Sequence, residues 1–249
     1  MFDLLKVRIN QGNQAIPDIK RAVINPMFRG LPEITAESCD KSIEEICPVG
    51  ALSSSPLSID MGKCIFCADC ERACGKGEIK FTNFHKTSAT SRETLIVDMH
   101  TNAQSYEKTA IQARKDIKKL FGRSLKLRSV SAGGCNGCEM ELNACSNVNF
   151  DMGRFGIDVV ASPRHADGII ITGPITENMV YALNDSYLAV PHPKIIIVVG
   201  SCAISGGKFA GSPAINREFL KNHKIDLYIP GCPVHPLTVI NGILNFIGR

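Results

Sequence analysis

Five short runs of apolar, β-branched residues punctuate the second half of the chain: LRSVS from Leu127, IDVVAS from Ile157, GIIIT from Gly168, KIIIVV from Lys194 and DLYI from Asp226. Runs of this length and composition predict strands. Cys138 to Ser146, Glu177 to Leu188 and Pro236 to Ile247 lie between or after them and have the length and spacing of helices. Strands that alternate with helices pair in parallel, and parallel strands are buried on both faces, so they read as continuous apolar runs. The expected fold class is therefore α/β, a parallel sheet covered by helices. Upstream, Tyr106 to Leu127 sets Lys108, Arg114, Lys115, Lys118, Lys119, Arg123 and Lys126 among Ala110, Ile111, Ile117, Leu120 and Phe121. That pattern predicts a basic amphipathic helix, read either as a solvated face linking two parts of the chain or as a contact for a partner subunit or anionic lipid.

The longest apolar runs, Gly168 to Thr172 and Ile195 to Val199, fall far short of the roughly 18 residues that cross a bilayer, so no span is expected. The first twenty residues contain Asp3 and no long apolar stretch ahead of a small-residue cleavage site, which predicts no secretory signal and a cytoplasmic location. At 249 residues the chain suits one large or two modest domains. A net charge of +4 is too slight to make nucleic acid the expected partner. Eleven cysteines change the picture, because in a reducing compartment such abundance points to metal or redox chemistry rather than disulfides.

The cysteines form two groups: Cys39, Cys47, Cys64, Cys67, Cys70 and Cys74, then Cys135, Cys138, Cys145, Cys202 and Cys232. Lys63 to Cys74 reads KCIFCADCERAC, the C-x2-C-x2-C-x3-C spacing of bacterial ferredoxins, in which the fourth cysteine of a run binds the other cluster. Structural zinc prefers two separated pairs of ligands, which makes it the weaker reading of this run. A cluster on Cys64, Cys67 and Cys70 needs a last ligand from elsewhere, and Cys47 in CPVGAL is the natural candidate. The segments beginning at Cys47 and Cys74 repeat 27 residues apart. The region from Ile34 to Asn83 thus resembles a two-cluster ferredoxin module whose first half has decayed. The family spacing, counted back from Cys47, lands on Ile43, Asp40 and Glu37, none of them a thiolate. One 4Fe-4S cluster is expected here, with Cys39 and Cys74 as free thiols or Cys74 as a substitute for Cys47.

In the second group, Cys135 and Cys138 follow the first strand in GGCNGCE, Cys202 follows KIIIVV in GSCA, and Cys232 follows DLYI in PGCP. Open α/β sheets bind ligands at the carboxyl ends of their strands, so these three loops converge on one edge and suit a second 4Fe-4S cluster. Cys145 reads as a core thiol.

With GGCNGCEMEL, RFGIDVVASPRHAD, GSCA and PGCP, the segment from Lys126 to Gly248 resembles the small, cluster-carrying subunit of the complex I-like, membrane-associated nickel-iron hydrogenases. More loosely, it is similar to the equivalent subunit of NADH:quinone oxidoreductase. The quinone-reducing relatives carry two adjacent cysteines where Cys135 and Cys138 stand apart, and usually Gln where His165 stands. The resemblance implies a flavodoxin-like sheet with a cluster proximal to a nickel-iron site held by a separate large subunit, together with other iron-sulfur and membrane subunits. It implies peripheral association with the inner face of the cell membrane and an electron relay that is not catalytic alone. The division expected is an extension over residues 1–30, a small α+β ferredoxin-like domain over 31–90, a basic helical linker over 91–125 and the hydrogenase-type domain over 126–249. Glu141 and His165 are candidate proton carriers beside the second cluster, set against a helix-start carboxylate for the first and a turn residue for the second. Arg154 and Arg164 read as surface ion pairs or partner contacts. His235, in Pro-Val-His-Pro where these families more often continue with Pro and a small residue, is expected to pack. The alternative function is the equivalent subunit of a nickel-free quinone- or sulfur-reducing complex.

Overall fold

In the computed structural model, which describes residues 2–11, 15–74, 77–112 and 115–249, the chain begins with α1 (Phe2–Gln11), β1 (Pro32–Ile34), α2 (Ser42–Ile46), β2 (Leu52–Ser54), β3 (Leu57–Asp60), α3 (Asp69–Ala73), β4 (Ile79–Phe81) and β5 (Ile96–Asp98). Two short helices follow, α4 (Ala103–Thr109) and α5 (Lys115–Phe121). The remainder is β6 (Leu125–Ser131), α6 (Gly137–Ala144), β7 (Ile157–Val159), β8 (Gly168–Thr172), α7 (Glu177–Ala189), β9 (Ile195–Val199), α8 (Ser201–Ser205), α9 (Glu218–Asn222), β10 (Leu227–Ile229) and α10 (Pro236–Phe246).

The strands of the second half form one sheet in the order β10-β9-β8-β6-β7, parallel throughout. This is the flavodoxin-like order, with its switch point between β6 and β8. Every residue of β8 and β9 is buried, as the unbroken GIIIT and IIIVV runs require of strands covered on both sides. Ile169, Ile171, Ile196 and Val198 face a core shared with α7, whereas Ile170, Ile195, Ile197 and Val199 face α10. Helix α10 is buried over nearly its whole length.

The first half holds an antiparallel pair, β1 with β4, and an antiparallel sheet in the order β2-β3-β5. Helices α2 and α3 end alike, with Cys47 and Cys74 as their respective C-caps. This half is fused to the parallel sheet rather than tethered to it. Leu31, Ile34, Ile59 and Val97 join Val130, Ile169 and Val198 in one buried cluster. Ala89 pairs antiparallel with Tyr228, extending the edge at β10 through N–H···O bonds of 3.0 and 2.8 Å.

The continuous basic helix expected from Tyr106 to Leu127 is not formed. Helix α4 stops at Ala110, whose carbonyl accepts from the Thr90 N–H at 2.9 Å; α5 covers Lys115 to Phe121; and Leu125 to Leu127 belong to β6. Leu125 and Leu127 are fully buried at alternate positions and pair with Ile157 and Val159, so strand pairing overrides the helical periodicity of the basic run. Arg114 lies outside the described residues. No helix among the described residues is long and apolar enough to cross a membrane.

Candidate functional site

Three loops at the carboxyl edge of the parallel sheet bring the second cysteine group together. Cys135 lies between β6 and α6, Cys138 on the first turn of α6, Cys202 on the first turn of α8 after β9, and Cys232 in the turn after β10. Asn136 and Gly200 adopt positive φ angles of 69° and 87°, which turn the cysteine-bearing segments back over the sheet edge. The thiols of different loops lie within charge range of one another: Cys138 senses Cys202 and Cys232, and Cys135 bears on both Cys202 and Cys232. Burial, reinforced by Glu139 and the neighbouring thiols, pushes Cys138 up to about 12, although the Val234 N–H donates to it. Burial also raises Cys202 and Cys232. Thiols that converge at one edge and repel one another once ionised stay protonated when the site is empty, and a cationic centre that binds thiolates, as an iron-sulfur cluster does, would relieve that repulsion. Cys135 and Cys232 are exposed, so the site opens at the molecular surface.

Three residues not singled out from the sequence for this role hold the edge in shape. The Glu139 carboxylate accepts from the Ser131 hydroxyl at 2.7 Å and the Thr172 hydroxyl at 2.6 Å, which ties α6 to the ends of β6 and β8. Arg217 donates to the carbonyls of Pro174, Cys202, Ala203 and Ile204 at 2.7 to 3.2 Å, a fork that caps the short helix carrying Cys202. The Ser201 hydroxyl donates to the Cys64 carbonyl at 2.5 Å. Ser201 is buried, and its bond joins the loops of the two cysteine groups directly. Ser201 was visible as the neighbour of Cys202; nothing in the sequence marks Arg217.

In the first half, Cys47, Cys64, Cys67 and Cys70 each lie within charge range of the other three, around a small cavity lined by Val49, Ala51, Leu52, Ile59 and Phe81. Backbone N–H groups point at their sulfurs: Ala51 donates to Cys47 and Phe66 to Cys64, each at 3.2 Å, and Asp69 and Glu71 donate to Cys67 and Cys70. Burial pushes Cys64 up to about 12 and Cys70 up to about 11. Amide donors aimed at four thiols around an apolar pocket fit thiolates on an iron-sulfur centre, whose sulfurs accept such bonds. The turn into Cys64 is set by Asp60, whose carbonyl accepts from the Cys64 N–H at 2.9 Å and whose carboxylate receives the Arg92 fork at 2.7 and 2.8 Å. Cys74 lies at the margin of this quartet, within charge range of Cys70, and its sulfur is 3.4 Å from that of Cys39.

The polar candidates separate. Glu141 lines a cavity of about 400 Å³ with Arg29, Phe66, Cys232 and His235, and burial raises its carboxyl above the usual range. His165 is exposed in a single 3-10 turn, Pro163 to His165, ahead of β8. It therefore sits at the amino end of the strand, whereas the cysteine loops leave carboxyl ends, so a role beside the cluster does not follow. Strand polarity alone carried that signal, because Gly168 follows His165 so closely. Arg154 donates to the Ile16 carbonyl at 2.8 Å and fastens the N-terminal extension. Nδ1 of His235 accepts from the Leu237 N–H at 3.1 Å, capping α10, and its ring meets Phe28 and Phe150 edge-on, a packing role. Cys145 is fully buried in the core beside α10.

Comparison with known proteins bears on the second half. The family described as NADH ubiquinone oxidoreductase, 20 Kd subunit, matches residues 135–246. A probable membrane-bound hydrogenase subunit of Pyrococcus furiosus is 37% identical over 126 residues, covering 51% of this chain and 75% of that protein. Formate hydrogenlyase subunit 7 of Escherichia coli is 39% identical over 135 residues, 54% of this chain and 53% of that one. An NADH-quinone oxidoreductase subunit of Heliobacterium modesticaldum is 44% identical over 109 residues, 43% of this chain and 62% of that one.

Proposed function

The chain belongs to the family of the 20 kDa subunit of NADH ubiquinone oxidoreductase, which carries a 4Fe-4S cluster in subunits of oxidoreductase complexes, and on that premise we propose that it is the iron-sulfur relay subunit of a multi-subunit nickel-iron hydrogenase. Cys135, Cys138, Cys202 and Cys232 hold the family's cluster, and Cys47, Cys64, Cys67 and Cys70 hold a second. A bound 4Fe-4S group supplies one-electron transfer at a potential tuned by hydrogen bonds and exposure.

The observation that carries the relay is the buried hydroxyl of Ser201, beside Cys202, bonded at 2.5 Å to the carbonyl of Cys64. One residue thus joins a ligand of each site through bonded atoms and a single hydrogen bond. The amides of Ala51 and Phe66 stabilise negative charge on Cys47 and Cys64, and Arg217 holds the helix carrying Cys202 while its positive charge favours that thiolate. Glu141, kept protonated to higher pH by burial beside the open edge, carries protons to or from the surface there. Cys135 and Cys232, both exposed residues, mark the face that a large subunit with the nickel-iron site covers. Attachment to the membrane, on its inner face, is through other subunits.

Two relatives are named as hydrogenase or hydrogenlyase subunits, and the separation of Cys135 from Cys138 favours that branch over the quinone-reducing one. The test is metal analysis of the native complex, purified without oxygen through a tag on this chain. Nickel near one per copy alongside abundant iron is expected. Iron without nickel would transfer the chain to a quinone- or sulfur-reducing complex.

A further inference from the structure

Between the two half-motifs of the first region lies a cluster of groups that the relay does not use. The sulfurs of Cys39 and Cys74 are 3.4 Å apart, and a carboxylate oxygen of Glu78 completes a triangle whose ligand atoms all lie within 4.8 Å of one another. Each group is fixed by backbone hydrogen bonds of a different segment. The Cys39 N–H donates to Ser54 at the end of β2 (3.1 Å), the Cys74 N–H to Cys70 in α3 (3.0 Å), and the Glu78 carbonyl accepts from Thr35 after β1 (3.0 Å). Cys74 is buried, and the other two are half-buried.

With no ion bound, the two thiols share a hydrogen bond at this distance, and the spacing then separates the covalent and metal-bound fates open to such a pair. A disulfide needs about 2.05 Å between sulfurs, so these would have to close by about 1.4 Å. Two thiolates on one tetrahedral zinc at about 2.3 Å each stand about 3.8 Å apart, which is within about 0.4 Å of the distance found. A cubane places each thiolate on its own iron, which sets them wider still. We infer that Cys39, Cys74 and Glu78 form a site for one zinc-class divalent cation, with water as the fourth ligand. Two thiolates and a carboxylate suit a borderline-soft cation that takes sulfur and oxygen together in tetrahedral geometry. The site also has a structural consequence. Cys39 and Cys74 lie 35 residues apart and bracket all four thiols of the first quartet, so the ion clips shut the segment that presents them. Closing a long loop in this way restricts the unfolded chain.

The inference is independent of the relay and of nickel. The full chain, iron-loaded and freed of zinc with a mild chelator, is titrated with Zn2+ against a competing chromophoric chelator. One tight zinc per chain is expected, with two sulfur scatterers near 2.3 Å at the zinc absorption edge. The Cys39→Ser, Cys74→Ser double variant is expected to lose that zinc and keep the iron of the wild type. Glu78→Gln leaves both thiols in place and covers the case in which the double variant misfolds. Its affinity should fall by about tenfold or more, since even outer-shell changes cost that much. Equal zinc uptake by wild type and variants would overturn the inference. So would loss of iron from a folded double variant, or recovery of Cys39 and Cys74 as a disulfide from protein kept anaerobic.

Discussion

His85 shows how one buried side chain sets a pH limit on the whole fold. It is 5% exposed, next to Asn241 in the heart of α10, and burial, helped by the positive charges of Lys86 and His235, pushes it down to about 4 against a weaker opposing pull from Glu107. In the unfolded chain the same imidazole titrates near about 6.5. Above that value it is neutral in both states and contributes no pH dependence. Between about 6.5 and 4 the unfolded chain takes up a proton that the folded one refuses, so stability falls as pH falls through this window. The full difference of about 2.5 units corresponds to about 3 kcal/mol, of which about 2 should be lost between pH 7 and pH 5. Denaturant unfolding at those two pH values, compared with His85→Gln, checks this. The variant should lose most of the slope, and an unchanged slope would assign the acid sensitivity to other groups.

The turn between β9 and α8 is where an element of secondary structure meets the chemistry. Gly200 has φ +87°, and a β-carbon there would stand 2.6 Å from the Cys138 sulfur, well inside contact distance. That sulfur sits on the first turn of α6, which Glu139 ties to two strands, so it has little room to withdraw. Gly200→Ala is therefore expected to empty the second site while sparing the first, lowering iron from about eight to about four per chain. Full iron content in the purified variant would remove Cys138 from the ligand set. Much of this element-level design was legible in the sequence: the apolar runs located β8 and β9, the C-x2-C-x2-C spacing brought Cys64, Cys67 and Cys70 together, and three glycine-rich loops marked the edge where Cys135, Cys202 and Cys232 meet. What was not legible depends on contacts between distant segments. Arg217 can sit half-buried only because four carbonyls from the turns around α8 converge on it, and Ser201 matters only because Cys64 arrives from the other half. The basic run kept a helical pattern up to Leu127, yet the pairing of Leu125 with Ile157, which local periodicity does not encode, drew its end into β6.

At the scale of the whole molecule, the two halves share what normally makes a domain separate. One buried cluster runs from Leu31, Ile34 and Ile59 through Leu95 and Val97 to Ile169, Ile171 and Val198, so the first half lies against one face of the parallel sheet. The Ala89 bridge covers the edge at β10, which otherwise presents unpaired backbone groups to solvent. Ser201 and the carbonyl of Cys64 add a buried polar link whose loss strands a desolvated acceptor. Each apolar side chain in such a seam contributes about 1.5 to 3 kcal/mol when fully buried, and several from each half lie in this one, which exceeds what either half is expected to retain alone. The chain should therefore unfold as a single cooperative unit despite its two cysteine groups. Heating the iron-loaded protein while following cluster absorbance and far-ultraviolet circular dichroism together should give one midpoint for both signals. By the same argument, a fragment beginning at residue 91 lacks β1 to β4, exposes the face carrying Ile169 and Val198 together with the β10 edge, and should elute as aggregate in gel filtration. Two separated midpoints, or a monodisperse folded fragment, would show instead that the seam is a dispensable contact between autonomous domains and that the link through Ser201 is made and broken without loss of either fold.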